Sequence, residues 1–203
     1  MDWLRRHPWF AAWLAVVPMG VLRAGTIAEN DTLWQIKTGL LELDSRGLLT
    51  TDPFAWTTAG QPWIQNSWGY NVLDGLAYRA GGLAAVSLLG LTVFLAMVWA
   101  MLCLARTLGA TPTPTAMLIL LLAPLFLPLV NARPHLVDQV AVLAAVLLLR
   151  GLPDHPRRHL SVLAVLCVIW ANVHPATPTS FPLFSWKPSA STLGGPSNLV
   201  QQA

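Results

Sequence analysis

Long apolar runs with almost no charge inside them constrain the fold of this chain most. Of its 203 residues, 55% are hydrophobic and only 10% are charged, whereas a soluble domain usually carries about 25% charged residues. A helix needs about 20 apolar residues to cross the hydrocarbon core of a bilayer, and shorter runs can be extended by flanking residues. We therefore predict an all-α membrane protein with about five transmembrane helices, over residues 8–22, 83–104, 115–130, 136–149 and 160–171.

The distribution of arginines predicts how these helices are oriented. If the N-terminus is cytoplasmic, the inner segments are 1–7, 105–114 and 150–159, and they contain six arginines. The first outer loop, 24–82, contains three basic and six acidic residues. Because cytoplasmic loops carry the excess of Lys and Arg, we predict a multi-pass protein with a cytoplasmic N-terminus. The basic residues form no stripe, so no nucleic-acid partner is expected.

The outer loop 24–82 is too long to be a plain connection, so structure is expected within it. Apolar residues at helical spacing predict one amphipathic helix over 32–46, with Thr32 and Gln35 as a capping box at its start. A second amphipathic helix is predicted over 67–80. We expect both helices to lie on the membrane surface, with a short extended or hairpin segment between them.

Polar motifs gather in the segments that this topology places on the outer side. A chain that collects its polar side chains at one face of a bilayer is expected to build a site there. These motifs are Glu29-Asn30-Asp31, Asp52-Pro53-Phe54, Asn66-Ser67-Trp68, Arg133-Pro134-His135 and Trp170-Ala171-Asn172-Val173-His174.

Glu29 and Asp31 are the candidate catalytic residues. Two carboxylates one residue apart can take a proton from an attacking hydroxyl, or they can hold a divalent metal ion such as Mg²⁺ or Mn²⁺. The structural alternative is helix capping, because acids at a helix N-terminus are stabilised by the helix dipole.

Arg133, His135 and Asp138 lie around the start of the fourth apolar run. A guanidinium can bind phosphate oxygens through its planar fork, or it can reach to lipid phosphates as an ordinary interfacial arginine. Asp138 follows His135 by three residues, so a local His–Asp pair is predicted. The alternative for Asp138 is a hydrated capping acid.

Asp52, Asn172 and His174 complete the candidate substrate-binding residues. Asp52 precedes Pro53 in extended or turn geometry, and a structural role in capping that turn is favoured over substrate binding. Asn172 and His174 end the fifth run and can line the same cavity, although plain interfacial residues are the favoured interpretation, with Trp170 as an interfacial anchor.

Two further groups of residues are predicted to have no chemical role. Tyr70, Asn71 and Asp74 are expected on the solvated face of the second surface helix. The two cysteines, Cys103 and Cys167, lie inside apolar runs at a spacing that fits no metal site, so they are expected to behave as small apolar residues.

Taken in order, these motifs resemble a family of membrane enzymes. The chain is similar to bacterial GT-C superfamily glycosyltransferase-like proteins, which are polytopic relatives of protein mannosyltransferases. The resemblance extends over 29–174. The segments that carry it are Glu29–Gly39, Thr51–Thr57, Gly60–Trp63, Asn66–Trp68, Arg133–His135 and Trp170–His174.

The resemblance implies transfer of a sugar from a polyprenyl-phosphate donor to an acceptor hydroxyl at the extracytoplasmic face of the bacterial inner membrane. It implies Glu29 and Asp31 as base or metal ligands, and Arg133 as the binder of the donor phosphate. The chain departs from the family at three positions. Glu29 replaces a frequent Asp, Gln35 replaces a frequent His, and Ser67 replaces a frequent Glu.

The composition changes after His174. Residues 175–203 contain five prolines and many Ser and Thr residues, so a disordered tail is predicted. Because the resembled family continues with further spans, 1–174 is expected to be the N-terminal part of a GT-C-like domain in a truncated or frameshifted product. The alternative function is therefore a catalytically inactive relative that acts as a membrane scaffold or partner subunit. A transporter subunit is the third class, but the chain has no internal repeat.

Overall fold

The described part of the chain is helical. The computed structural model describes residues 3, 6–24, 30–57, 60–65, 67–126 and 133–174. Within these ranges there is no β-strand beyond a single isolated bridge, so the all-α prediction is confirmed for them. Seven helices are present in this part: α1 (Pro8–Ala24), α2 (Asn30–Ser45), α3 (Trp68–Thr107), α4 (Pro112–Leu121), α5 (Ala123–Phe126), α6 (Pro134–Arg150) and α7 (Pro156–Val173).

The long helix α3 consists of two arms separated by a break at two glycines. Gly81 and Gly82 have non-helical backbone angles, and Gly82 has a φ of 62° and a ψ of −151°. Forty helical residues would extend about 60 Å, which is about twice the hydrocarbon thickness of a bilayer. The polar residues lie before the break, in the segment 68–80, which we call the outer arm. The apolar segment 83–107 belongs to the candidate membrane span and is called the spanning arm.

One helix, α3, is long and apolar enough to cross a membrane among the described residues. The five spans predicted from the sequence are therefore reduced to one here. The helices α1 and α6 have 17 residues each, which is about 26 Å and slightly short of the hydrocarbon core. The helix α7 has 18 residues, but its first turn contains Arg157, Arg158 and His159.

The third predicted span is not one continuous helix. The helix α4 ends at Leu121, and the four-residue α5 follows after a turn at Leu122. Pro124 explains this break, because it has no N–H to donate to the carbonyl of Leu120. Residues 127–132 of the predicted span lie outside the described part of the chain.

An apolar core joins α1 to the spanning arm. The two helices run antiparallel, since the Trp13 ring lies 6.2 Å from the Trp99 ring, whereas Gly20 lies against Leu91 and Phe94. The absence of a side chain at Gly20 allows that contact. The buried residues of the core come from four helices: Ala12 and Val16 from α1, Phe94, Met97, Val98 and Leu102 from α3, Ala116 and Ile119 from α4, and Leu136 from α6.

The two predicted surface helices exist, but they pack against each other. The outer arm crosses α2 where Gly39 meets Gly75, and a Cβ on Gly75 would lie 2.7 Å from the Gly39 carbonyl carbon. Leu33 on α2 and Leu76 on the outer arm point outward, with 56% and 48% of their surface exposed. The buried residues of the crossing are mostly polar: Thr32, Gln35, Thr38, Glu42, Ser67, Asn71 and Asp74.

The predicted capping box at Thr32 and Gln35 is wrong, because α2 begins at Asn30. Both residues lie inside the helix and are buried in the crossing with the outer arm, with exposures of 1% and 5%. The sequence pattern of a capping box was therefore produced by two polar residues that share the buried face of α2.

The segment between α2 and α3 contains a short hairpin-like loop, in agreement with the sequence. An antiparallel bridge joins Thr51 to Pro62. The Asp52 N–H donates to the Gln61 carbonyl at 3.1 Å, and the Trp63 N–H donates to the Thr50 carbonyl at 2.8 Å. This loop brings Trp63 back toward α2, where its ring lies 6.0 Å from the Trp34 ring.

Polar and arginine-bearing segments lie at opposite ends of α6 and α7. At one end, the last turn of α7 approaches the outer arm, where Gly69 meets the Asn172 carbonyl. At the other end, Arg150 donates to the Thr107 carbonyl at 3.1 Å, and Gly151 lies against His159. The one-sided sorting of polar motifs in the sequence is therefore a sorting in space as well.

Candidate functional site

A cavity of about 260 Å³ lies where four segments meet at the polar end of the molecule. Its walls come from the first turns of α2, the loop before α3 with the first turn of α3, the start of α6 with the preceding Arg133, and the residue that follows α7. The candidate residues among its lining are Asp31, Arg133, His135 and His174. They are separated by up to 143 positions in the sequence, so only the fold brings them together.

Asp31 and Arg133 form an ion pair at the cavity. The Arg133 Nη2 atom donates to Asp31 Oδ2 at 2.5 Å, and the Trp34 indole donates to Asp31 Oδ1 at 3.3 Å. The side chains are partly exposed, at 51% for Asp31 and 27% for Arg133. The two residues that the sequence assigns to separate tasks therefore contact each other, and the guanidinium partly neutralises the carboxylate. Such charge-assisted bonds are among the stronger hydrogen bonds.

Asp138 is bound by Trp170 of α7 and by His174, which follows that helix. Its Oδ2 atom lies 2.7 Å from His174 Nδ1, and its Oδ1 atom accepts a hydrogen bond from the Trp170 indole at 2.7 Å. The pair predicted from sequence spacing was His135 with Asp138. The structure instead pairs Asp138 with His174, because α7 returns alongside α6 and places its last turn beside the first turn of α6. Trp170, predicted only as an interfacial anchor, orients the carboxylate.

His135 remains close to this pair without being its hydrogen-bonded partner. Its ring centroid lies 5.4 Å from that of His174, with the planes tilted by 55°. One ligand atom from each of His135, Asp138 and His174 falls within 4.8 Å of the others. The two imidazoles and the carboxylate thus form a compact cluster at one wall of the cavity.

Two predicted binding residues are not among the lining residues of the cavity. Asp52 accepts hydrogen bonds from the Phe54 and Ala55 N–H groups at 2.8 and 3.2 Å, which is the turn-capping role favoured from the sequence. Asn172 is exposed and donates to the Val168 carbonyl within its own helix. Glu29, the other predicted catalytic acid, lies outside the described residues.

Aromatic and amide side chains that were not predicted as site residues complete the cavity. Trp34 and Trp63 line it, together with the amide-bearing Gln35, Gln65 and Asn71. The Asn71 side chain donates to Gln65 Oε1 at 3.2 Å. Trp34 and Trp63 lie within two of the segments that carry the family resemblance, Glu29–Gly39 and Gly60–Trp63, so the sequence contained a signal for them. No comparable signal identified the amides, because polar residues on amphipathic helices usually face water.

Tyr70, Asn71 and Asp74 are buried, so the prediction of a solvated face is wrong. Their exposures are 1%, 1% and 0%. Both carboxylate oxygens of Asp74 lack a hydrogen-bond partner among the described residues. Burial raises the pKa of Asp74 to about 8, in the outer arm that precedes the spanning segment. The face that the sequence assigned to water is covered by α2.

Glu42 is a second buried acid in the crossing of α2 and the outer arm, with an exposure of 4%. Burial raises its pKa, and a hydrogen bond from the Leu49 N–H to its carboxylate at 3.4 Å opposes that change. The wall behind the cavity therefore contains two acids, Asp74 and Glu42, whose charged forms are penalised by desolvation.

Comparison with protein-family models, curated proteins and solved structures finds no match for this chain.

Proposed function

We propose that this chain is a membrane glycosyltransferase-like protein that transfers a sugar from a polyprenyl-phosphate donor to an acceptor hydroxyl at the extracytoplasmic face. The observation that supports the proposal most is the shared cavity of Asp31, Arg133, His135 and His174. The resemblance to GT-C proteins supplies the reaction class. The geometry supplies a cavity that holds a cation for phosphate and a carboxylate for a hydroxyl proton.

Arg133 is the proposed binder of the donor phosphate. A guanidinium presents a planar fork that matches phosphate oxygens, and Arg133 lines the cavity with its Nη2 atom beside Asp31. A phosphate that approached Arg133 would share it with Asp31. Donor binding and the position of the carboxylate are therefore coupled in this proposal.

Asp31 is the proposed proton acceptor. In the reaction, the acceptor hydroxyl oxygen forms a bond to the anomeric carbon of the sugar, while the bond from that carbon to the phosphate oxygen breaks. The bonding electrons leave with the polyprenyl phosphate, and the hydroxyl proton passes to the carboxylate. Glu29 remains an alternative acceptor from the resemblance alone.

The remaining walls suit a sugar. Trp34 and Trp63 offer large aromatic surfaces, and Gln35, Gln65 and Asn71 offer amide groups that can bind hydroxyls. Ligand sites typically combine such apolar walls with a few fixed polar groups. His135 and His174 are proposed to contact the substrate from the opposite side.

The proposed location is the bacterial inner membrane, with several helices beside the spanning arm of α3. In this proposal α1, α6, α7 and the broken α4–α5 segment accompany α3, and tilt or flanking residues supply the missing length. The cavity faces the outside, and the arginine-bearing turns around Arg106, Arg150 and Arg157 face the cytoplasm, as the positive-inside rule requires.

A divalent ion at Glu29 and Asp31 is implied by the resemblance, but the contacts of Asp31 do not fit it well. Arg133 already supplies a positive charge at Asp31 Oδ2, and the Trp34 indole donates to the other oxygen. A second cation at this carboxylate would be repelled by the guanidinium. No step of the proposed reaction is therefore routed through Mg²⁺ or Mn²⁺.

The test is sugar transfer by the purified full-length chain from a radiolabelled polyprenyl-phosphate sugar. We expect Arg133→Gln and Asp31→Asn each to lower the rate about 100-fold, the loss typical of one charged group at a reacting centre. The chain contains a matched control, since Asp44 of α2 and Arg79 of the outer arm form an exposed ion pair away from the cavity. Asp44→Asn and Arg79→Gln should leave the rate unchanged. Wild-type transfer by both cavity variants would refute the site assignment.

A second candidate is the non-catalytic scaffold or partner subunit, and one observation favours it. The helix α7 buries none of its residues, and Val162, Val165 and Ile169 are more than 45% exposed. An apolar helix with no cover in its own chain suits contact with lipid or with a helix of another membrane protein. This candidate predicts no turnover with any polyprenyl-phosphate sugar, together with a stable complex that the Val165→Arg substitution disrupts.

A further inference from the structure

We propose that His135, Asp138 and His174 form a binding site for a divalent transition-metal ion of the zinc class. His135 and Asp138 lie one turn apart at the start of α6, and His174 follows the last turn of α7. One ligand atom from each lies within 4.8 Å of the other two. This site is distinct from the Asp31–Arg133 pair, and its argument does not rest on the proposed sugar transfer.

The distances are compatible with a small closure around an ion. Zinc binds imidazole nitrogen and carboxylate oxygen at about 2.0–2.2 Å, which places ligand atoms about 3–4 Å apart. His174 Nδ1 and Asp138 Oδ2 are 2.7 Å apart, so they need to separate slightly. The His135 side chain is exposed and can approach by rotation about its side-chain bonds, without movement of the backbone.

Trp170 holds the carboxylate in the orientation that the site needs. Its indole donates to Asp138 Oδ1 at 2.7 Å, which leaves Oδ2 on the side of His174. An indole N–H is only a donor and cannot itself bind a metal. Hydrogen bonds of this kind to metal-ligating carboxylates fix the orientation of the ligand and raise metal affinity.

A hydrogen bond between His174 and Asp138 with a purely structural role would leave His135 without a role in the cluster. The hydrogen bond between His174 and Asp138 uses two members of the cluster, whereas the described residues offer the His135 ring only the neighbouring His174 ring, at 5.4 Å. A metal ion uses all three side chains at once. Its binding would replace the hydrogen bond between His174 and Asp138, and the proton of a neutral His174 ring would move from Nδ1 to Nε2.

The ligand set points to a class of ion. Two imidazoles and one carboxylate suit Zn²⁺, Co²⁺ and Ni²⁺, whereas Mg²⁺ prefers oxygen ligands only. His135 and His174 also line the cavity. Three protein ligands leave a fourth position, which is the arrangement of zinc sites that bind water or an anion. An ion here would therefore present that position to whatever occupies the cavity.

The experiment is a titration of the untagged, chelator-stripped full-length chain in detergent with ZnCl₂, followed calorimetrically, and with CoCl₂, followed by its visible absorption. Both cysteines are replaced by serine in every arm, so that thiols cannot bind the metal. We expect one equivalent of Zn²⁺ per chain and a Co²⁺ spectrum typical of low coordination number. His135→Ala and His174→Ala should each weaken binding about ten-fold or more.

The control is His155→Ala, which removes one member of a second histidine pair at the opposite end of the molecule, where the His155 and His159 rings lie 6.2 Å apart. It should bind as the parent does. Asp138→Asn is a variant that should fold as the parent does, because the amide oxygen can still accept a hydrogen bond from the Trp170 indole. It removes only the negative charge that an ion would need. Absence of saturable binding by the parent chain would overturn the proposal. So would parental affinity in the His135→Ala, His174→Ala and Asp138→Asn variants.

Discussion

Asp74 is the buried acid whose charge should set the pH dependence of stability. Its pKa is about 3.8 when exposed and is raised to about 8 by burial. An acid whose pKa is higher in the folded protein contributes stability that is complete below the unfolded value and is lost as the pH rises toward the folded value. We therefore expect stability to decrease between about pH 4 and pH 8, by about 1 kcal/mol per pH unit in the middle of that range.

The Asp74→Asn substitution should remove most of this slope and stabilise the protein at pH 8, since an amide of the same shape carries no charge. Thermal unfolding in detergent at pH 5, 6, 7 and 8 measures the effect. Asp154→Asn is the control, because Asp154 lies exposed in the turn before α7. Glu42, whose pKa is also raised by burial, leaves a residual slope of the same sign. If Asp74→Asn keeps the parental dependence of stability on pH, Asp74 does not control that dependence.

Single residues illustrate where sequence reasoning succeeds and where it stops. Arg133 and His135 could be assigned to one end of the molecule because the charge distribution and the apolar runs fix which ends lie together. The partner of Asp138 could not, since the contact with His174 depends on how α7 returns along α6. Local spacing favoured His135 as the partner of Asp138. In the structure the partner is His174, which lies 36 positions away in the sequence.

At the scale of elements, the crossing of α2 and the outer arm depends on two glycines. A Cβ on Gly39 would overlap the Asn71 carbonyl, and a Cβ on Gly75 would lie 2.7 Å from the Gly39 carbonyl carbon. Both obstacles are backbone atoms, so relief requires the helices to separate. We expect Gly39→Ala and Gly75→Ala each to destabilise the protein by about 2 kcal/mol. Gly47→Ala, which meets no atom closer than 4.0 Å, should be neutral in the same unfolding measurements.

The break in α3 depends on Gly82 more than on Gly81. A φ of 62° with a ψ of −151° lies in a region that only glycine adopts readily, whereas the Gly81 φ of −164° is ordinary extended backbone. We expect Gly82→Ala to destabilise the protein by about 1–3 kcal/mol or to straighten the helix. Pulsed electron–electron distances between spin labels on the outer and spanning arms distinguish the two results. Equal effects of Gly81→Ala and Gly82→Ala would contradict this assignment.

The helices themselves were largely predictable, and their packing was not. The predicted segments 32–46, 136–149 and 160–171 correspond to α2, α6 and α7, because apolar periodicity and proline positions are local signals. The two amphipathic helices were expected to lie separately on the membrane with polar faces in water. They instead pack against each other and bury mostly polar side chains, while Leu33 and Leu76 point outward. A hydrophobic pattern identifies the apolar face but does not say whether the polar face meets water or another helix.

For the whole molecule, the opposite positions of the cavity and the arginine-bearing turns predict which surface meets which compartment. Many large apolar side chains are exposed along α3, α4, α6 and α7, which is unusual for a soluble protein and suits contact with lipid. If the helices around the spanning arm of α3 cross the membrane together with it, Thr57 in the outer loop and Asp154 in the turn before α7 lie on opposite sides of the membrane.

Single cysteines test this in a background where Cys103 and Cys167 are serine, since both target positions are exposed. A membrane-impermeant maleimide added to intact cells should label Thr57→Cys, whereas Asp154→Cys should react only after the membrane is opened. The reverse pattern would invert the orientation without changing the fold. Labelling of both positions in intact cells would mean that the helices beside α3 do not cross the membrane. The cavity and the turn would then share one compartment, and a donor lipid anchored in the membrane would have to reach the cavity along α3 alone.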